Sequence, residues 1–167
     1  MSADQDAVLV KKALTYANGY RELEMFDHAI EEIEALPEHL RYCETAVQMR
    51  AAVYMQAKAW SKALPFVERL ASDRPGDAGN FVNFAYVMRR ARSLEEAKPI
   101  LQKAAQTFPE SAIIHYNLGC YACHSNELDV AKEHLSRAFE LDAEFKKTAL
   151  EDEDLSPLTV WIQEVVK

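Results

Sequence analysis

Glycine is scarce in this chain, four in 167 residues, and no polar low-complexity tract accompanies it. That excludes the disordered, linker-like classes, and 49% apolar content is enough for one domain with a continuous core. Positive charge is short as well: 19 Lys and Arg stand against 27 Asp and Glu, for a net charge of −8. Phosphate backbones need a basic footprint, so nucleic acid is not an expected partner. The longest apolar runs are too short to cross a bilayer, so no membrane is expected either. The opening MSADQDAVLV carries acids in place of a basic region and a long apolar stretch, and no secretory leader is expected there. Three cysteines, an odd number, fit a reduced compartment better than a disulfide framework. The expectation is a soluble cytoplasmic protein.

Catalytic patterns are missing too. There is no Gly-rich phosphate loop, no Gly-x-Ser-x-Gly elbow and no His-Glu-x-x-His helix. The carboxylate runs EEIE (31–34) and EDED (151–154) read as solvated helix faces. No enzyme activity and no cofactor are expected.

What is present is a period of 34 residues. Ala29, Ala63, Ala97 and Ala131 fall in one column, and Ala17, Ala51, Ala85 and Gly119 in another. Ile33, Val67, Leu101 and Leu135 align as large apolar positions, as do Phe26, Trp60, Leu94 and Leu128. Pro75 matches Pro109, and Pro65 matches Pro99. Each unit reads as two amphipathic helices, with small columns where backbones approach and large columns beside them. One such hairpin cannot cover its own apolar face, so the units must stack.

These residues resemble the tetratricopeptide repeat (TPR) family. The fourth unit, 112–145, carries the pattern best, with Leu118-Gly119, Ala131, Leu135 and Ala138 in place. Weaker units run about 10–43, 44–77 and 78–111, where Arg50 replaces the usual Leu. The resemblance implies an all-α, right-handed superhelical solenoid of about four hairpins. After it, Ser156-Pro157 reads as a helix N-cap and first turn, opening a capping helix of about 156–167 with a stripe of Leu158, Trp161, Ile162 and Val165.

The stretch GCYACHSN holds Cys120, Cys123 and His124 in the Cys-x-x-Cys-His spacing of c-type haem attachment. In the register it is the late part of a first helix, where residues three and four apart share a face. A structural zinc takes four ligands and these supply three, so packing is the expected role and neither metal nor haem is expected. A haem- or metal-binding protein is the alternative of another class.

The resemblance further implies a scaffold that binds a peptide or protein segment in a concave groove. By register that groove presents Leu14, Thr15, Asn18, Gln48, Met49, Ala52, Met55 and Gln56, then Val82, Asn83, Tyr86, Arg89, Arg90, Tyr116, Asn117, Cys120 and His124. An acidic group of the partner is expected near Arg89 and Arg90. The two-carboxylate clamp of heat-shock co-chaperones is absent: Leu14, Met49 and Gly79 stand where its Lys and Asn residues would be. A chaperone of the type III secretion kind is the alternative within the binding class.

Overall fold

The computed structural model describes residues 3–166 of the chain, apart from the Val166 side chain. Its regular elements are helical, and the chain divides into two compact units, Met1–Pro75 and Gly76–Lys167. The first unit contains α1 (Ala3–Glu22), α2 (Phe26–Glu34), a 3₁₀ turn (Glu38–Leu40), α3 (Glu44–Gln56) and α4 (Trp60–Asp73). The second contains α5 (Ala78–Ala91), α6 (Leu94–Thr107), α7 (Ala112–His124), α8 (Leu128–Leu141), α9 (Glu144–Glu151), a 3₁₀ segment (Glu153–Leu158) and α10 (Thr159–Val166). Among the described residues no helix is long and apolar enough to cross a membrane.

The small columns lie where the repeat predicts close approach. Ala29, Ala63, Ala97 and Ala131 have no exposed surface, and Ala17, Ala51, Ala85 and Gly119 are buried opposite them. Gly119 marks the tightest contact: a Cβ there would sit 2.7 Å from Leu135 Cγ and 2.9 Å from its Cδ2. Ile33, Val67, Leu101 and Leu135 fill the space beside these contacts and are themselves buried.

Three of the four hairpins turn alike. Glu24, Lys58 and Asn126 adopt φ of 59°, 55° and 58°, and they fall in one column of the period. After each, the next amide donates back across the turn, Met25 to Tyr20 O (2.9 Å), Ala59 to Tyr54 O (2.8 Å) and Glu127 to Ala122 O (2.9 Å). This is the Schellman closure, here made without glycine. The α5–α6 hairpin differs: Ser93 accepts from the Glu96 amide (3.2 Å) and caps α6 directly.

Arg50 shows how a cation replaces leucine. It is only 2% exposed, pairs with the Glu34 carboxylate, and lies over the rings of Tyr42 (5.2 Å) and Phe66 (5.7 Å). Its hydrogen bond holds the Glu34 carboxyl below its ordinary value, against the opposing effect of burial. The planar guanidinium fills the leucine site with its face, while Nη1 pairs with Glu34 and Nη2 donates to Arg41 O (3.4 Å).

The last part of the second unit departs from expectation. The cap is Asp152, whose carboxylate accepts from the Asp154 amide (2.9 Å), and Ser156 and Pro157 lie inside the 3₁₀ segment it opens. Asp152 wins because its charged oxygen captures the free amide four residues before Ser156 could act. Of the expected stripe, Leu158 and Ile162 are buried and Trp161 stacks on Phe139 (6.3 Å), but Val165 is exposed. Helix α9, which the sequence reading did not anticipate, buries Ala149 and sets Phe145 against Tyr116 (4.8 Å). Moved by one period, α7 falls on residues 146–158, which α9 and the 3₁₀ segment share. The break at Asp152, extended at φ −84° and ψ 109°, turns that would-be helix back onto the unit.

Candidate functional site

The first helices α5 and α7 carry most of the expected groove residues of the second unit, and the chain's own acidic segment lies on them. Tyr116 donates its hydroxyl to Asp152 Oδ2 at 2.7 Å, and the Cys120 thiol lies 3.7 Å from the same oxygen. Arg89 Nη1 donates to Asp154 Oδ2 at 2.9 Å, while His124 Nε2 is 2.9 Å from Asp154 Oδ1. The other guanidinium nitrogen of Arg89 is 2.6 Å from His124 Nε2. A bare Nε2 accepts from Arg89, and a protonated one donates to Asp154. Arg89 also covers the Tyr121 ring, 5.4 Å from its centroid, which fixes the plane of the guanidinium.

The electrostatics follow from this geometry. Burial pushes Asp154 up, but the hydrogen bonds from Arg89 and His124 outweigh it and hold the carboxyl below its ordinary value. Tyr116 is raised by burial and then by its bond to Asp152. Tyr121 is pushed up to about 12 by burial. Burial and the neighbouring Asp152 and Asp154 carboxylates raise both Cys120 and Cys123. A thiol raised in this way stays protonated at neutral pH, and the thiolate is the form that ligates metals and attacks electrophiles. Among the described residues no three His, Cys, Asp or Glu side chains are grouped to hold a metal ion.

Four residues picked from the sequence are thus brought together: Arg89, Tyr116, Cys120 and His124. Tyr116 and Cys120 are only 6% and 5% exposed, and Arg89 17%, because the 152–158 segment covers them. Asn83 is exposed, Arg90 stacks over Tyr86 (5.4 Å), and Asn117 donates to Ile113 O (2.8 Å). The carboxylates Asp152 and Asp154 were missed by the sequence reading, which took EDED for a solvated face. Asp154 is in fact partly buried and Leu155 wholly so. The available signal was the leucine pair Leu155 and Leu158 directly behind two acids that share one side of the segment.

In the first unit, Asn18 accepts from Arg21 (2.8 Å) and donates to Glu22 (2.8 Å), and Arg21 reaches Gln56 (2.7 Å). Gln48 donates to Glu44 (3.2 Å), while Met49 packs on the core and Met55 is half-buried. An open groove of ≈ 760 Å³ runs along α1. Ala7, Val10, Leu14 and Leu40 make it apolar, and Asp6, Lys11, Thr15, Asn18 and Thr45 supply its polar groups. Leu14, Thr15 and Asn18 were expected there. Asp6, Ala7 and Val10 were not, because α1 begins at Ala3, well before the expected start near residue 10.

No family model matches the sequence, and no curated protein matches it either. Solved structures do. Residues 41 to the end of MamA from Desulfovibrio magneticus RS-1 superpose with a TM-score of 0.70 at 21% identity, over 80% of this chain and 76% of that one. A thermophilic TPR protein from Thermus thermophilus, TTC0263, gives 0.65 at 19% identity, over 91% and 82%. MamA from strain AMB-1 gives 0.65 at 15% identity, over 98% and 90%. Likeness at these identities is likeness of fold, and in fold the chain is a helical-repeat protein of the tetratricopeptide type.

Proposed function

We propose that the chain is a non-catalytic protein-interaction scaffold, which takes a peptide or protein segment on the faces carried by the first helices of its hairpins. The observation that carries this reading is the open groove along α1, apolar along Val10, Leu14 and Leu40 and edged by the Thr15 and Thr45 hydroxyls and the Asn18 amide. Such a surface offers area to an amphipathic segment and hydrogen bonds to orient it. In the second unit, Asn83, Tyr86, Arg90 and Asn117 are the polar and aromatic groups offered on α5 and α7, and an acidic group of the partner would be received at Arg89, which Asp154 now pairs. Tyr and Arg are the residue types that dominate binding hot spots, since they bring large contact area with polar tips.

The test uses a photo-crosslinking amino acid placed at Thr15 or Asn83 on the first helices, and at exposed Lys103 on α6, the second helix of its hairpin. Crosslinked peptides from the native organism's proteins are then mapped by mass spectrometry. The expected result is a recurring partner segment captured from Thr15, or one captured from Asn83, and missed from Lys103, with capture at Thr15 reduced by Leu14→Glu. Capture equal at all three positions, or unaffected by Leu14→Glu in a folded protein, refutes the reading.

A further inference from the structure

The second unit holds two carboxylates in a way that goes beyond covering a repeat end. Each has its own receivers on α5 and α7: Asp152 meets the Tyr116 hydroxyl, and Asp154 meets Arg89 and His124. The receivers stand on full-length repeat helices, with Arg89 further oriented by the Tyr121 ring. The segment they hold is built differently. It is a 3₁₀ segment between two helices of eight residues each, reached through an extended Asp152. Helices this short have little stability of their own, and elements of this kind belong to the low-stability end of a fold. Directly behind the carboxylates, Leu155 and Leu158 enter the core beside Cys120 and Tyr121.

We propose that the α5/α7 face is a receptor site for an acidic, leucine-anchored protein segment, with carboxylates two residues apart and a leucine following the second, and that Asp152–Leu158 occupies it in cis until a partner segment of the same chemistry displaces it. This deepens the scaffold reading and rests on it. The receivers specify the ligand: a paired guanidinium and imidazole for one carboxylate, a hydroxyl and a thiol for the other, and a buried leucine site beyond. A partner without acids leaves Arg89 unpaired and partly buried, and one without the leucine leaves an apolar gap, so only the combination replaces what leaves. Tethering gives the internal segment a high effective concentration, so a dilute free segment competes poorly with it. Around the site, Arg90 on its exposed rim adds positive potential in a chain of net negative charge, which favours an incoming acidic segment.

The experiment uses the full chain and a fluorescent peptide of its own residues 149–160, ALEDEDLSPLTV. The internal segment is weakened by Asp152→Asn with Asp154→Asn, which keeps the size of both side chains, the capping ability at 152 and both leucines. The peptide should bind this variant about tenfold or more tighter than wild type, the factor set by how rarely the wild-type site is open. Binding should vanish when Arg89→Ala is added, or when the peptide carries Asn at the positions of Asp152 and Asp154. A second measurement follows thiol labelling by mass spectrometry. Cys120 and Cys123, buried in wild type, should label faster in the weakened variant relative to Cys43, and the bound peptide should protect them again.

Equal peptide affinity for wild type and variant overturns the proposal, as does binding that survives Arg89→Ala. Unchanged Cys120 labelling in the weakened variant also overturns it, since the carboxylates would then not be what holds the segment. The two readings fail separately. Partner capture at Thr15 without peptide binding sinks only the cis-occupant proposal, whereas peptide binding without any captured partner sinks the scaffold reading.

Discussion

Two glycines in this chain are expected to respond to the same substitution with opposite signs. Gly19 lies within α1, and a Cβ built on it meets nothing within 4 Å. Gly19→Ala therefore stabilises by about 0.5–1 kcal/mol, because alanine loses less backbone entropy in a helix than glycine. Gly119 gains the same helical preference, but its new Cβ would lie 2.7 and 2.9 Å from Leu135 Cγ and Cδ2, and 3.3 Å from the Ala131 carbonyl. Leu135 is fully buried and has no free direction to move. Overpacking of this kind costs about 1–3 kcal/mol, so Gly119→Ala is a net loss of about 1 kcal/mol. Urea unfolding followed by far-UV circular dichroism reads both: with a slope of about 2 kcal/mol per molar, the midpoints move apart by roughly 0.5–1 M. Leu135→Ala removes the clashing atoms. In that background Gly119→Ala should turn neutral or favourable, a coupling of about 1–2 kcal/mol. A Gly119→Ala midpoint that rises as the Gly19→Ala midpoint does, in an otherwise wild-type chain, refutes the close approach of α7 and α8.

Other outcomes follow from particular side chains. Arg50→Leu should leave stability within about 1 kcal/mol of wild type, since a leucine of similar volume avoids desolvating the guanidinium. Glu34→Ala should cost about 2 kcal/mol, less than a fully buried pair because Glu34 is half exposed. Lys58→Gly should raise stability by about 1 kcal/mol by relieving a left-handed non-glycine residue, read in the same urea titration. His134 is held below its ordinary value by burial and by His115, whose Nδ1 is 3.3 Å from its own, with Glu133 opposing and Lys98 reinforcing. Between the folded and ordinary values the unfolded chain binds more protons, so this contribution is present above about pH 6.5 and declines as pH falls below it. His134→Gln should flatten the dependence of the urea midpoint on pH in that range.

The repeat was legible because it is written in sterics. A backbone approach admits only Gly or Ala, so Ala17, Ala51, Ala85 and Gly119 announce it whatever surrounds them, and Ala29 through Ala131 mark the opposing wall. The hairpin turns were less legible. Their left-handed residue is usually glycine, and here it is Glu24, Lys58 and Asn126, which carry no such mark in the sequence. The early start of α1 was hidden for a different reason: Val8 and Leu9 are exposed, so the helix begins with no clean apolar stripe.

The site was legible in its receivers and not in its occupant. Spacing puts Tyr116, Cys120 and His124 on one face of α7, and the register of the tetratricopeptide resemblance sets Arg89 of α5 on the same side. The need for an acidic group beside Arg89 followed from charge. What local reading could not show is that the chain supplies that group itself. Asp152 and Asp154 sit in a run of four acids that, by composition, belongs on a solvated surface. Their burial is set at longer range: one period after α7 the chain starts another first helix, reaches Asp152, and breaks, because the carboxylate that would have faced water accepts both the Asp154 amide and the Tyr116 hydroxyl. With that break Leu155 and Leu158 turn inward, and Asp154 is carried to Arg89. Asp152 thus ends the repeat and opens the segment that covers its face, which makes it the residue on which these two roles can be pulled apart. Asp152→Asn preserves the cap, since asparagine caps as well as aspartate, and weakens the charged acceptor for Tyr116. Loss of coverage with the helical content intact is the outcome this arrangement requires.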